Sequence, residues 1–140
     1  MNDLIKSFYG ICDNSIILLS KYYSHLDKTS EKDRKTYTSE HYSFLGKLLE
    51  QIEEIDGLLA AVSLSMSNAH SSDDSETITP LKELFEHITA LREAFNDYFE
   101  TTEAALKQDD GSLSYVLKNQ TDILIRRISM VSQYYKKTNT

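Results

Sequence analysis

The chain has 140 residues, enough for one domain with a hydrophobic core that needs neither disulfides nor metals. Its four glycines and one proline supply too few turns for an all-β fold, whereas a 40% share of apolar residues suits packed helices. The net charge of −7 argues against nucleic acid as a principal partner, and the single cysteine, Cys12, excludes an internal disulfide and favours the cytoplasm.

The first predicted helix covers residues 2–26. Apolar side chains recur there at steps of three and four residues, from Leu4 through Phe8 to Tyr22. Cys12 lies on this apolar stripe, which indicates a buried, reduced thiol and not a nucleophile. Charged residues interrupt every apolar run of the chain well short of ~20 residues, so we expect neither a membrane span nor a signal peptide.

The second predicted helix covers residues 30–69 and carries the most regular stripe of the chain. Acidic residues between Glu50 and Asp56 fall on the other side of the helix. This pattern is typical of a coiled-coil seam and predicts a helical neighbour. The seam consists of Leu45, Leu48, Ile52, Ile55, Leu59, Val62 and Met66.

Residues 27–41 leave the architecture open. They contain neither glycine nor proline, so nothing forces a turn, yet Ser30 with Asp33 three residues later is typical of a helix start. The expected fold is an all-α antiparallel bundle of three to four amphipathic helices. If the segment turns, the chain forms a compact bundle of four helices. If it stays helical, residues 3–69 form one rod of roughly 100 Å, which requires an extended hairpin or a dimer. We favour the compact form.

The third predicted helix covers residues 80–107. The break before it, residues 70–79, is rich in serine and acidic residues, and Pro80 fits the first turn of a new helix. Thr79 is therefore the predicted N-cap. The apolar stripe of this helix consists of Leu81, Leu84, Ile88, Leu91, Phe95, Tyr98, Thr102 and Ala105.

The fourth predicted helix covers residues 113–137. Gly111 suits a left-handed end to the third helix, and Ser112 suits the N-cap of the fourth. The stripe of this helix shifts by one step near Leu124. Its members are Leu113, Leu117, Gln120, Leu124, Ile128, Val131 and Tyr135.

Charge is distributed unevenly along the chain. Residues 40–110 hold 16 acidic and 4 basic side chains, whereas residues 111–140 hold 5 basic and 1 acidic. Two explanations fit this uneven charge. The basic tail is attracted to the acidic middle of the same chain, or it contacts an anionic membrane. The candidate contacts for an anionic surface are Lys118, Arg126, Arg127, Lys136 and Lys137.

No pattern of catalytic or metal-binding residues stands out. The four histidines, His25, His41, His70 and His87, are never four residues apart, and the Glu-x-x-His pairs of di-iron bundles are missing. The chain also has neither a nucleophile elbow nor a glycine-rich phosphate loop. We therefore expect a protein that is not an enzyme and that needs no cofactor and no metal.

Two long stretches resemble the helices of the BAR domain in sorting nexins. Residues 18–62 are similar to the first BAR helix, with a lysine-rich polar run, then Phe44, Leu45, Gly46, Lys47 and Leu48, then an acidic and apolar run. Residues 91–137 are similar to the second, with aromatic and basic residues at Tyr115, Arg127, Tyr134 and Lys137. BAR domains have a third long helix, which these two stretches do not supply.

The last helix is also similar, in its spacing, to the last helix of syntaxin-type regulatory bundles. Both resemblances imply membrane trafficking. We therefore expect a non-enzymatic helical interaction module whose partners are other helical proteins or a second copy of itself, with an anionic membrane as a further partner. The expected location is the cytoplasm, extended to the membrane periphery if lipid is bound. The alternative is a bacterial secretion or flagellar export chaperone, which suits the size, acidity and helicity of the chain.

Overall fold

The computed structural model describes residues 2–28, 34–108 and 113–138, apart from the side chains of residues 28, 137 and 138. Four α-helices account for nearly all of these residues: α1 (Asn2–Lys28), α2 (Arg34–Ser71), α3 (Ser75–Lys107) and α4 (Leu113–Thr138). The described ranges contain no β-strand, so the all-α prediction is confirmed.

The four helices form a closed antiparallel ring. Each helix packs against its neighbours in sequence, and α4 completes the ring by packing on α1. Helices α2 and α4 barely touch, because they stand on opposite sides of the bundle. This is the up-down-up-down arrangement that short connections between amphipathic helices favour.

Helices α1 and α2 are separate antiparallel helices. The Nε2 atom of His25 and the Oε2 atom of Glu40 lie 2.9 Å apart, whereas one continuous helix would separate these residues by roughly 22 Å. The compact alternative is therefore confirmed, and the fused rod is wrong. The predicted start near Ser30 and the predicted caps Gly111 and Ser112 lie outside the described residues.

Helix α3 begins five residues earlier than the sequence predicts. Its first residue is Ser75, so the expected N-cap role of Thr79 is wrong and Pro80 lies inside the helix. Proline lacks the N–H that would bond to the carbonyl of Glu76, yet Glu76 lies in the exposed first turn, where water can satisfy that carbonyl. The cost of an early proline is therefore small enough for the extra turn to form.

A tight turn at residues 72–74 reverses the chain between α2 and α3. Asp73 adopts a left-handed conformation with φ of 54°, which aspartate tolerates better than most residues. The N–H of Asp74 donates to the carbonyl of Ala69 at 2.9 Å, and that of Asp73 donates to His70 at 3.1 Å. These two bonds are those of a Schellman motif, with aspartate in the position that glycine usually takes.

The apolar stripes of all four helices meet in one core. Every member of the predicted α3 stripe is buried, and so is Cys12 on α1. The α4 stripe needs one correction: Gln120 is only half-buried, and the smaller Thr121 occupies the core position beside it. The largest fully buried side chains are Tyr98, Tyr135, Phe8, Phe95, Leu19, Leu26, Leu48, Ile55, Leu84, Ile88, Leu91 and Leu117.

Arg34 ties the start of α2 to the end of α3. Its Nη2 atom donates to the carbonyl oxygens of Ala105 and Leu106 at 3.2 and 2.7 Å. Both carbonyls belong to the last turn of α3, where helical N–H partners run out. The Ala105 carbonyl also accepts from the N–H of Gln108 at 3.2 Å. A guanidinium at the negative end of a helix dipole is favourable as well.

We predict that Arg34→Ala lowers the free energy of unfolding by about 1–2 kcal/mol, because it removes charged hydrogen bonds to two end carbonyls. Urea unfolding followed by circular dichroism measures this. The matched control is Lys35→Ala, since Lys35 is an exposed neighbour of the same charge. Equal stability of Arg34→Ala and Lys35→Ala would contradict the prediction.

Candidate functional site

The coiled-coil seam of α2 is used inside the bundle. Leu48, Ile52, Ile55 and Val62 are buried, and Leu45, Leu59 and Met66 are half-buried and pack against the same core. The predicted helical neighbours are therefore helices of the same chain. The seam is therefore not accessible without opening the fold, and only the outer surface of the bundle is open to other molecules.

Three of the five basic candidates are engaged within the molecule. Lys118 on α4 pairs with Asp27 on α1 at 3.4 Å, and Arg127 pairs with Asp97 on α3 at 2.7 Å. Arg126 pairs with Asp122 one turn earlier on α4, at 3.0 Å. Such exposed pairs contribute little stability each. They do, however, divert much of the basic tail toward the chain's own acids.

The last two basic candidates are at the end of α4. Lys136 is exposed, and the side chain of Lys137 lies outside the described part of the structure. Lys136 also borders a groove between α1 and α4, together with Asp13. The four candidates whose side chains are described thus lie against different neighbours: Asp27 on α1, Asp97 on α3, Asp122 on α4 itself, and the groove between α1 and α4.

One layer of the core is polar and takes one side chain from each helix. The Tyr22 hydroxyl on α1 and His41 Nδ1 on α2 share a hydrogen bond of 2.7 Å. Tyr98 on α3 and Thr121 on α4 share a second, of 3.0 Å. The rings of His41 and Tyr98 lie 6.1 Å apart, so the two pairs are neighbours. This buried polar layer was not expected from the sequence.

His41 is the most constrained member of the buried polar layer. It is fully buried, and its Nε2 atom has no hydrogen-bond partner among the described residues. Burial disfavours the charged ring and lowers the pKa of His41 to about 4. Burial also raises the pKa values of Tyr22 and Tyr98, so all three side chains are neutral at physiological pH.

The remaining histidines do not converge. His25 pairs with Glu40, and His87 Nδ1 donates to the carbonyl of Glu83 at 2.8 Å while its ring stacks on Tyr134. Within the described ranges, no three histidine, cysteine or acidic side chains come close enough to hold a metal ion. Burial raises the pKa of the Cys12 thiol to about 12, which makes it a poor nucleophile.

Exposed apolar side chains are concentrated on α2 and α4. Of the eight large hydrophobic residues that are exposed in the described ranges, only Ile17 lies elsewhere. We call Tyr42, Leu49 and Leu64 the α2 surface. We call Tyr115, Ile123, Met130 and Tyr134 the α4 surface.

The α4 surface borders an apolar groove against α3. Met130 is 69% exposed and Tyr134 is 61% exposed, although both side chains are large and apolar over most of their area. The groove beside them has a volume of about 440 Å³, and Val131, Ala90 and His87 contribute to its lining. Because the side chain of Ala90 is small, α3 leaves space beside Met130 and Tyr134 in the groove.

A second opening follows the interface between α1 and α2. It contains cavities of about 460 and 290 Å³ at its two ends. Gly10 on α1 and Gly57 on α2 both line the larger one, and no atom lies within 4 Å of the position that a Cβ would take at either residue. The α1–α2 interface is therefore open along its outer side.

Comparison with known proteins found no match, whether against protein-family models, curated proteins or solved structures. The candidate surfaces are thus interpreted from their own chemistry. Within the described ranges, no helix combines the length and the apolar character that crossing a membrane requires. The expectation that the chain is not an enzyme stays a prediction.

We predict that the free energy of unfolding falls by about 2 kcal/mol between about pH 7 and about pH 5 because of His41. The pKa of His41 is lower in the folded chain, about 4, than its usual 6.5, so the unfolded chain binds the extra proton. The contribution of neutral His41 to stability is therefore fully present above pH 6.5, and it is lost as the pH falls toward 4. Urea unfolding at several pH values measures the loss.

The variant His41→Gln tests the assignment, because glutamine does not titrate in this range. We expect this contribution to the pH dependence to disappear in His41→Gln and to persist in His70→Gln, where the exposed histidine is removed instead. A loss of stability that is the same in His41→Gln as in the unmodified chain would refute the role of His41.

Proposed function

We propose that this chain is a non-enzymatic helical interaction module that binds a protein partner through the α4 surface. The observation that carries the proposal is the exposure of Met130 and Tyr134 beside an apolar groove. Methionine adapts its shape to varied apolar partners, and tyrosine is enriched among the residues that dominate binding energy. An exposed apolar cluster of this kind is a candidate interaction site.

The distribution of buried and exposed apolar residues among the helices supports the same proposal. Their inner apolar stripes are buried in the core, and α3 exposes no large hydrophobic residue in its described length. The exposed apolar area of α4 is thus not a general property of the bundle's outer surface. A partner that covers Met130 and Tyr134 would remove from water side chains that are 69% and 61% exposed.

The partner is, in this proposal, another helical protein or a second copy of the chain. Membrane trafficking enters the proposal through the resemblance of residues 18–62 and 91–137 to sorting-nexin helices. An export chaperone would use the same α4 surface, with the apolar segment of an export substrate in place of a folded helical partner. The identity of a bound partner therefore separates these two roles.

An anionic membrane is the second proposed partner, and it rests on the charge surplus at the end of α4. Because Lys118 and Arg127 are drawn into pairs with other helices, the contact would depend mainly on Arg126, Lys136 and Lys137. Each basic residue near an anionic surface contributes about 1 kcal/mol, so three support only weak, salt-sensitive attachment. The protein-binding proposal is the stronger of the two.

We predict that a photo-crosslinking amino acid at Met130 forms a discrete covalent adduct with a protein in cells that express the chain. Met130 is 69% exposed and lines the apolar groove, so a partner bound there must approach position 130. Mass spectrometry of the adduct identifies the partner. The control position is Glu100, which is exposed on α3 and outside the α4 surface.

The adduct should also weaken when Tyr134→Glu places a charge in the apolar groove. Equal labelling from positions 130 and 100, or an adduct that Tyr134→Glu leaves unchanged, would argue against the proposed site. An adduct with an unfolded export substrate would instead select the chaperone role.

For the membrane proposal, we predict binding to anionic vesicles that decreases as salt is raised, since exposed charges are screened within about 10 Å at moderate ionic strength. The triple variant Arg126→Ala, Lys136→Ala and Lys137→Ala should lose it. Cosedimentation measures the bound fraction, and Lys47→Ala, an exposed lysine on α2, is the control. No binding at low salt would rule out the membrane as a partner.

A further inference from the structure

The smaller cavity between α1 and α2 has an apolar floor that contacts within the fold hold in place. Its volume is about 290 Å³, and Leu18, Tyr22 and Phe44 are the apolar residues of its lining. The rings of Tyr22 and Phe44 stack across the interface with centroids 3.8 Å apart and an interplanar angle of 12°. The Tyr22 hydroxyl is also fixed by its 2.7 Å hydrogen bond with His41. A ligand on this floor therefore need not order these side chains when it binds.

Two exposed lysines, one from each helix, line the same cavity. They are Lys21 on α1 and Lys47 on α2. Neither forms an ion pair with an acidic side chain among the described residues. In this they differ from Lys118 and Arg127 on α4, which acidic residues of neighbouring helices neutralise. The two ammonium groups at the cavity are thus available to an anion from outside the chain.

The lining of the cavity has an excess of positive charge. Its one acidic residue is Glu40, which is already held by His25 at 2.9 Å. Two ammonium groups against one carboxylate leave at least one positive charge without a partner. Ser43 adds a hydroxyl that can donate a further hydrogen bond. Hydrogen bonds to an anion are roughly twice as strong as those between neutral groups, so a singly charged anion suits this lining.

The space available limits the ligand to a small molecule. A volume of about 290 Å³ is at the lower end of the range, about 300–1,000 Å³, that is usual for small-molecule sites. On α1 the lining extends from Leu18 to His25, about 10 Å along the helix. Beyond Leu18, the Ser15 hydroxyl donates to Oε1 of Gln51 at 3.3 Å and so links the two helices between the two cavities. A long acyl chain does not fit within these bounds.

We propose that this cavity binds a small organic monocarboxylate with an apolar body. The carboxylate lies between Lys21 and Lys47. The apolar body rests on Leu18, Tyr22 and Phe44. The α1–α2 interface is opposite the α3–α4 interface in the ring, so the site is separate from the α4 surface and goes beyond the proposed function.

Titration of the isotope-labelled chain with octanoate, followed by nuclear magnetic resonance, tests the proposal. We expect saturable shifts of the amide signals that are largest in residues 18–25 and 40–47. Octanol has the same apolar body without the charge, and octylamine reverses the charge. Both should bind roughly tenfold more weakly, because neither offers an anion to the two lysines.

Substitutions in the lining separate the charge from the space. Lys21→Ala and Lys47→Ala should each weaken octanoate binding by about two- to fivefold, and together by roughly tenfold. The matched control is Lys6→Ala with Lys35→Ala, which removes exposed lysines of the same helices outside the cavity. Ser43→Leu fills the cavity while both lysines remain, and it should block binding. Circular dichroism checks that every variant folds, which is expected because all five positions lie outside the core.

The proposal fails if octanoate at millimolar concentration gives no saturable shifts, or if octanol binds as tightly as octanoate. It fails equally if the double variant Lys21→Ala and Lys47→Ala binds octanoate as well as the control does. Binding to anionic vesicles that Lys47→Ala abolishes would also overturn it, since a lipid headgroup would then be the ligand. None of these results changes the crosslink expected at position 130, so the two proposals stand or fall separately.

Discussion

The packing of α4 on α1 is the contact on which the rest of the structure depends. Each helix has one broad apolar stripe, and only a closed ring gives every stripe two covering neighbours. Phe8 of α1 and Tyr135 of α4 meet edge to face with ring centroids 5.4 Å apart, and both are fully buried. Burial of such side chains contributes about 1.5–3 kcal/mol each, so an open row of helices would forgo much of its stability.

The buried polar layer adds a requirement that apolar contacts alone do not impose. Leucine and isoleucine side chains tolerate small shifts along a helix, whereas the Tyr22–His41 and Tyr98–Thr121 hydrogen bonds form in one axial alignment only. A shifted helix would leave buried polar groups unpaired, which costs about 1–3 kcal/mol per group. The layer thus selects one register, and the burial that lowers the pKa of His41 to about 4 makes that register sensitive to acid.

Closure of the ring also decides which surfaces are accessible to a partner. Because the seam from Leu45 to Met66 is consumed by the core, the surfaces that remain for partners are the outer faces of the helices. The acids of α3 and the basic residues of α4 partly neutralise each other across their shared interface, as in the pair of Asp97 with Arg127. What remains is an outer face on α2 with exposed acidic and apolar residues, and an outer face on α4 with exposed apolar residues, on opposite sides of one small bundle.

The sequence by itself determined the fold class and most of the inner faces of the helices, but it left open whether residues 27–41 turn and so whether the first two helices are separate. Spacing of three and four residues depends only on helix geometry, so the α3 stripe from Leu81 to Ala105 was predicted without error. The start of α3 was not, because a proline at the sixth helical position is a tolerated exception whose cost depends on the solvation of Glu76. The spacing of residues in the sequence does not show whether water reaches the carbonyl of Glu76.

Only the tertiary structure decided which helices are neighbours and which residues share a layer or a face. His41, Tyr98 and Thr121 are far apart in the chain, and no local pattern marks them as one polar layer. The separation of the α2 and α4 surfaces is likewise a property of the closed ring, since periodicity identifies an exposed face but not its direction relative to another helix. Packing between residues that are distant in the chain determines which helices are neighbours and which way each exposed face points. A helix of the same sequence in another bundle could have different neighbours.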